Sequence, residues 1–301
     1  MRLTRFVLCS MLVASFGTMT AGPATNVLLS DLAGTDRTDP GLRPGTLFST
    51  HGLTVEVPQA GHGVWMDAVL ADGGVQLGLE TDRNGMVTVH ESATTRGVQL
   101  VAAAVTDPCK DGAYNLSGVK WGTDFAWFYQ SATTPSNFTA SAAAGAFQRA
   151  VNHITGGYTN CGLTDNVGAT NTYLGTTPVA ANINNDGSCG LGDKANVVGF
   201  GALPKNYLGF TCWWTMNGVV FEADMRLNKA YYRFYVKKPS SCSSRFSIEA
   251  VATHEFGHAF GLAHVSETYH PSLTMSTALR PCQASESTLG LGDVRGLSAL
   301  Y

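Results

Sequence analysis

Three histidines near the end of this 301-residue chain are spaced as a metal site requires. The stretch from His254 to His264 reads His-Glu-x-x-His-x-x-Gly-x-x-His. Because residues four apart share one face of a helix, His254 and His258 can direct two imidazole nitrogens at one zinc ion, at about 2.0–2.1 Å. Gly261 can adopt a positive φ and end the helix, so that His264 approaches the same ion from another side. The pattern predicts a three-histidine zinc site.

A glutamate directly follows the first histidine of this motif. Three protein ligands leave the fourth position of a tetrahedral zinc ion open to water, and zinc lowers the pKa of that water towards about 7. Glu255 can accept the proton while the hydroxide attacks a carbonyl carbon, and can then pass it to the leaving group. A chance match at all five motif positions is expected on the order of 10⁻⁵ times in a chain of this composition. The motif therefore indicates metal-dependent hydrolysis.

A methionine follows the motif within a short Ser-Leu-Thr-Met-Ser segment. Met275 lies eleven residues after His264. The extended histidine motif and this methionine together resemble the metzincins, which are zinc metalloproteases with a methionine turn. The histidine as third ligand, the closing segment 289–301 and the aromatic segment that begins at Trp121 are similar to the matrixin branch. The resemblance extends over roughly residues 112–301.

The resemblance implies a fold, an activity and a set of site residues. The expected fold is an α/β catalytic domain over residues 107–301, with a mixed, mostly parallel sheet, an active-site helix and a C-terminal helix. The expected activity is hydrolysis of protein or peptide substrates by an endopeptidase with one catalytic Zn²⁺. The residues implied are the metal ligands His254, His258 and His264, the general base Glu255 and the methionine turn at Met275.

Two further roles follow from the same resemblance. Met275 would form the apolar floor under the zinc ligands, although a methionine taken alone is more often a core filler. Asp293 would support the methionine turn from the last helix, whereas its simpler interpretation is an acid stabilised by the dipole at a helix N-terminus. The histidine-rich second zinc site of animal matrixins has no counterpart here, so we expect a single zinc ion.

Hydrophobic periodicity predicts the elements around the motif. Residues 141–155 have apolar positions at helical spacing, and a second helix that begins near Ser247 carries the histidines. Segments rich in β-branched and aromatic residues are strand candidates, and they are 125–129, 197–203, 219–225 and 230–236. We expect residues 197–204 to form the edge strand that binds an extended substrate, with a plain core strand as the alternative.

Residues 25–106 differ in pattern from the rest of the chain. Short alternating segments at 53–57, 75–79 and 86–89 are separated by glycines and by a turn at 82–85. The pattern predicts a small β-rich region. A pro-segment, an accessory binding module and a folding aid are all compatible with it, and the pro-segment interpretation predicts activation by cleavage near residues 100–111.

The N-terminus and the cysteines indicate an extracellular protein. Residues 1–24 carry two arginines, an apolar stretch and then small residues, which is typical of a secretory signal peptide. Six cysteines follow the signal, and an even number in an oxidising compartment predicts three disulfides. Fifteen pairings are possible. Asp107-Pro108-Cys109 faintly resembles a cysteine switch, which would leave an odd number of partners.

Charge and local composition limit the other partners. The formal net charge is −3, without a basic patch, so we expect no nucleic-acid partner. We expect no membrane anchor and a monomer. The loop 184–193 contains oxygen ligands and glycines compatible with Ca²⁺, although a turn held by Cys189 is the simpler interpretation. Trp213 and Trp214 are candidates for a stacking surface, with burial in the core as the commoner outcome.

Two classes of function are compatible with these features. The first is a secreted zinc endopeptidase. The second is a non-catalytic secreted binding protein in which residues 25–106 bind the ligand and the zinc domain serves as a scaffold. Peptidase activity of the folded, zinc-loaded chain separates the two.

Overall fold

The computed structural model describes residues 35–70, 73–95, 104–164 and 167–301, so the signal peptide expected at 1–24 lies outside the described residues. The helices are α1 (Ala140–Thr155), α2 (Ile248–Ala259) and α3 (Leu291–Leu300). Two short 3-10 turns lie at Ser131–Thr133 and Ser285–Ser287. Among the described residues, none of the helices has the length and apolar character needed to cross a bilayer.

The strands fall into an N-terminal and a C-terminal group. The N-terminal strands are β1 (Thr35–Asp39), β2 (Leu47–Thr50), β3 (Leu53–Glu56), β4 (His62–Leu70), β5 (Gly73–Thr81) and β6 (Val87–Thr95). The C-terminal strands are β7 (Asn115–Leu116), β8 (Lys120–Trp121), β9 (Phe125–Tyr129), β10 (Asn171–Thr176), β11 (Asn196–Gly201), β12 (Tyr207–Met216), β13 (Val219–Asn228), β14 (Arg233–Tyr235), β15 (Arg245–Ser247) and β16 (Leu262–Ala263).

One large sheet runs through both groups. Its strand order is β1-β6-β5-β4-β12-β13-β11-β9-β10, with β8 paired to β13. In the C-terminal part, β13, β11, β9 and β10 are parallel and β12 is antiparallel. The expected mixed, mostly parallel catalytic sheet with an active-site helix and a C-terminal helix is therefore confirmed. The predicted β-rich N-terminal region is also present, with β2 and β3 as a separate two-stranded sheet and the other four strands continuing the large sheet through an antiparallel β4–β12 pair.

The expectation that residues 197–204 form the substrate-binding edge strand is wrong. Strand β11 lies between β13 and β9 and is buried on both faces. Its run Val197-Val198-Gly199-Phe200 is apolar at consecutive positions, which is typical of a parallel strand covered by other elements on both sides. Strand β12 is the end strand of the C-terminal group that packs against helix α2, and it is not among the strands predicted from the sequence.

Two apolar clusters fill the two faces of the sheet. Helix α1 begins at Thr139, whose hydroxyl oxygen accepts a hydrogen bond from the Ala142 amide at 3.2 Å, and its apolar stripe packs beside α2 and the sheet. On the opposite face, side chains of β4 and β5 pack against Phe210, Cys212 and Trp214 of β12. The N-terminal strands therefore share a core with the C-terminal part.

The three predicted disulfides are present. They join Cys109 to Cys161, Cys189 to Cys212 and Cys242 to Cys282. Because Cys109 is paired within the C-terminal part, it has no thiolate to offer a metal, and the cysteine-switch interpretation is wrong.

Removing the Cys109–Cys161 disulfide should destabilise the protein without disturbing the metal centre. This bridge closes a loop with a sequence separation of 52 residues, and loop-closure entropy of that length is worth about 4 kcal/mol. The free energy of unfolding of the double variant Cys109→Ala/Cys161→Ala, measured by urea denaturation, should fall by a large part of that amount. The variant should still bind one zinc ion. Unchanged stability together with newly gained peptidase activity would contradict this structural role.

Candidate metal centre

Helix α2 carries two of the motif histidines and the glutamate. The helix is capped at Ser247, whose hydroxyl oxygen accepts a hydrogen bond from the Ala250 amide at 3.2 Å. His254, Glu255 and His258 are fully buried. The helix packs against β12, and Glu255 reaches that strand through Thr211.

The turn that follows the helix depends on one glycine. Gly261 has φ of 93°, and its amide donates to the His258 carbonyl at 2.9 Å. A Cβ atom at this position would lie 2.3 Å from the carbonyl oxygen of Val119, so a side chain is excluded by both conformation and space. The chain then forms β16 and brings His264 back towards the helix.

The three histidines converge on one point. The Nε2 atom of His254 lies 3.0 Å from Nε2 of His258 and 3.0 Å from Nε2 of His264, and the remaining Nε2–Nε2 distance is 3.2 Å. Nitrogen ligands of a tetrahedral zinc ion at about 2.0–2.1 Å are separated by about 3.3 Å. The spacing therefore fits three ligands of one ion.

Hydrogen bonds on the far side of two rings fix their tautomers. Nδ1 of His254 donates to the Thr274 carbonyl at 2.7 Å, and Nδ1 of His258 donates to the Leu262 carbonyl at 3.1 Å. Burial lowers the pKa of all three histidines, that of His258 to about 3, so the rings are neutral at pH 7. A neutral ring protonated at Nδ1 has a lone pair at Nε2. Lone pairs that meet at 3.0 Å repel each other unless a cation lies between them, and this donor set suits zinc.

The predicted methionine turn packs against helix α2 beside the motif histidines. A Cβ atom on Gly257 would come within 2.3 Å of Met275 Sδ, so the methionine packs against the helix where it has no side chain. Asp293 of α3 accepts hydrogen bonds from the amides of Thr274 at 2.9 Å and Met275 at 3.2 Å, which is the contact expected from the resemblance. It also accepts from the Gly290 amide at 2.8 Å at the start of its own helix. Both interpretations of Asp293 therefore hold.

Glu255 lies between the histidines and strand β12. Its Oε2 atom accepts a hydrogen bond from the Thr211 hydroxyl at 2.5 Å, and a Cβ atom on Gly209 would come within 2.3 Å of Oε1. Burial raises the pKa of Glu255 well above its usual value, the negative charge of Asp67 raises it further, and the Thr211 hydrogen bond opposes both effects. Oε1 has no hydrogen-bond partner within the described part of the chain.

An aspartate from the N-terminal region completes the cluster. Asp67 of β4 is fully buried, and its Oδ1 atom lies 3.1 Å from Nε2 of His258 and 3.4 Å from Nε2 of His264. One donor atom from each of Asp67, His254, His258 and His264 lies within 4.8 Å of all the others. Burial raises the pKa of Asp67 well above its usual value.

The sequence analysis missed Asp67 because it lies 187 residues before His254 and belongs to no motif. A weak signal was present, since Asp67 is the one acid in the run Val64-Trp65-Met66-Asp67-Ala68-Val69. A carboxylate inside an otherwise apolar strand is rare unless it has a charged partner or a metal.

The structure does not support two other possibilities raised by the sequence, a calcium site and an aromatic stacking surface. The calcium site proposed for loop 184–193 finds no support: Asp186 accepts from the Ser188 amide and hydroxyl, and Asp193 accepts from the Ala195 amide. Within the described residues, the cluster around Asp67 is the only group of three or more acidic, histidine or cysteine side chains that could hold a metal. Trp213 and Trp214 are buried in the two cores and form no stacking surface.

Comparison with known families supports the same part of the chain. Residues 166–301 match the family model described as matrixin. No curated protein sequence matches the chain.

Proposed function

Because residues 166–301 form a matrixin-like domain of the metzincin clan of zinc metalloendopeptidases, we propose that His254, His258 and His264 hold one catalytic zinc ion and that Glu255 is the general base. The observation that carries this proposal is the convergence of three Nε2 atoms within 3.0–3.2 Å of one another. Zinc bound there would supply a Lewis acid for the substrate carbonyl and lower the pKa of a bound water.

The surroundings of Glu255 suit a group that accepts and returns a proton. Burial raises the pKa of the Glu255 carboxyl towards neutral pH. A general base that later acts as a general acid is most effective when its pKa lies near the pH at which the enzyme works. The Thr211 hydroxyl holds Oε2, which leaves Oε1 as the atom that takes the proton from the attacking water and delivers it to the leaving amine. Zinc and not a protein donor would carry the oxyanion charge.

We propose that β12 is the strand along which an extended protein or peptide substrate binds. It is the sheet strand nearest to Glu255, through Gly209 and Thr211. Added strands gain affinity from backbone hydrogen bonds that depend little on sequence. The segment 265–279, which contains Met275 and closes back on the ligands, is the candidate wall of the specificity pocket.

We also propose that the protein is secreted and acts as a monomer. Three disulfides support passage through an oxidising compartment, where such bonds form and persist. The expected signal at residues 1–24 accords with this location.

One observation favours the second candidate, a non-catalytic binding protein. In the intact chain Asp67 lies at the fourth position around the histidines and β4 is paired along β12. A site that stays closed in this way would hold zinc without hydrolysing anything.

Casein digestion separates the two candidates. The secreted chain should be assayed intact and after limited proteolysis that removes the N-terminal strands, with the products mapped by mass spectrometry. We expect at least one of the two forms to cut casein at internal bonds. The chelator 1,10-phenanthroline should abolish this cleavage, and added Zn²⁺ should restore it. Folded, zinc-loaded protein that cuts nothing in either form would reject the peptidase and favour the binding protein.

A further inference from the structure

Strand β4 and Asp67 occupy the positions that a substrate and a catalytic water would need. We propose that the intact chain is a latent enzyme in which Asp67 is the fourth zinc ligand and residues 35–95 are an inhibitory segment. This inference rests on the proposed zinc peptidase function. It deepens that function, because it names what keeps the site closed and what opens it.

The pairing of β4 with β12 covers the whole candidate substrate strand. The antiparallel register runs from His62 opposite Met216 to Leu70 opposite Tyr207. Asp67 lies opposite Thr211, the residue that hydrogen-bonds Glu255. No second extended chain can use the same edge of β12 while β4 is in place.

The surroundings of Asp67 point to a metal ligand. No hydrogen-bond donor of the described chain reaches either of its carboxylate oxygens. An unpaired carboxylate that is fully buried is strongly unfavourable. The Nε2 atoms of His258 and His264 lie 3.1 and 3.4 Å from Oδ1, and that of His258 has a lone pair because its Nδ1 atom donates to the Leu262 carbonyl. A cation shared by these atoms removes both problems. Four protein ligands also give the closed coordination of a structural zinc site, without the open position that hydrolysis requires.

The rest of the N-terminal sheet seals the centre. Gly74 of β5 approaches so closely that a Cβ atom there would lie 2.3 Å from Cε1 of His264. Trp65 of β4 stacks on Trp213 with ring centroids 6.2 Å apart, and Trp213 in turn stacks on His258 at 6.3 Å. Asp67 and the three histidines are all buried, with at most 1% of any of them exposed.

The connection between the two parts suits proteolytic release. All six disulfide-bonded cysteines lie at or after residue 109, so no disulfide holds residues 35–95 to the catalytic part. After cleavage between Thr95 and Cys109, residues 35–95 stay attached by non-covalent contacts alone, among them the β4–β12 hydrogen bonds, the shared apolar cluster and the Trp65–Trp213 stack. Because that cluster is extensive, we expect activity to appear when the fragment is lost and not at the moment of the cut.

Azide binding to the cobalt-substituted intact chain tests the coordination directly. Co²⁺ reports its ligands through visible absorption, and azide requires an open position on the metal. Wild type and the matched control Asp39→Asn, which changes an aspartate of the same sheet away from the centre, should bind azide at least 100-fold more weakly than Asp67→Ala. Their cobalt spectra should agree with each other and differ from that of the variant.

The outcomes separate this inference from the peptidase function. Wild type that binds cobalt and takes azide as readily as Asp67→Ala overturns the latency, and the intact chain should then digest casein directly. Wild type that binds no cobalt overturns both proposals. If Asp67→Ala does not fold, Asp67→Asn replaces it, and the wild-type arm still decides: exclusion of azide by the cobalt-loaded chain supports the inference, and azide binding rejects it.

Discussion

Replacing Glu255 by alanine should abolish peptidase activity while the metal and the fold remain. Loss of a positioned general base lowers the rate by about 10²–10⁴-fold. Because Glu255 lies beside the ligands and is not one of them, zinc content should stay at one ion per chain. The measurement is kcat/KM for a fluorogenic peptide on protein from which residues 35–95 have been removed, together with metal analysis.

The matched control is Glu249→Gln on the same helix. Glu249 lies at the first turn of α2 and pairs with Arg149 at 2.7 Å, outside the cluster of the three motif histidines. This variant should keep kcat/KM within a few-fold of wild type. If Glu255→Ala cleaves the peptide as fast as Glu249→Gln, Glu255 is not the base.

Replacing His258 by alanine should remove the metal. The change deletes one of three neutral nitrogens that meet at 3.0–3.2 Å. Losing an outer-sphere partner of a metal ligand costs about 10–100-fold in affinity, so losing the ligand itself should exceed about 100-fold. Competition with a chromophoric chelator gives the dissociation constant, and activity should fall with metal content.

His62→Ala is the matched control for the metal. His62 lies on β4 but outside the cluster, with Nδ1 at 3.2 Å from the Ala60 carbonyl. It should bind zinc as wild type does. Equal zinc affinity in His258→Ala and His62→Ala would show that the ion is held elsewhere.

The features that sequence analysis identified are those encoded over short distances. The spacing of His254, His258 and His264 is a property of one helix and one glycine turn, and α2 ends where Gly261 adopts a positive φ. Helix α1 was predicted from its apolar stripe, and it begins one residue before the expected position. The contact of Asp293 with the methionine turn is implied by the family resemblance, and it joins two residues only eighteen positions apart in the chain.

The missed features depend on pairing between distant segments. The run 197–203 suited an edge strand or a core strand equally, because its residues do not encode the neighbours that cover it. Strand β12 contains two tryptophans that suggested a surface, yet the N-terminal strands and α2 bury both. Strand register is set by the whole sheet and not by any local pattern.

The same limit explains the N-terminal region. Alternation predicted strands near 53–57, 75–79 and 86–89, and strands are present there. Their attachment to β12, and the entry of Asp67 into the histidine cluster, follow from long-range contacts that no spacing in the sequence reveals. No local pattern therefore distinguishes a pro-segment from an accessory module.

An anomalous difference map, recorded at the zinc edge from crystals of the intact, zinc-loaded protein, tests the proposed metal site most directly. We expect one strong peak, bound by Nε2 of His254, His258 and His264 and by Oδ1 of Asp67, at about 2.0–2.2 Å from each ligand atom. A peak away from the three histidines would contradict the zinc peptidase assignment. A peak at the histidines with water in place of Asp67 would leave the peptidase and contradict the latency.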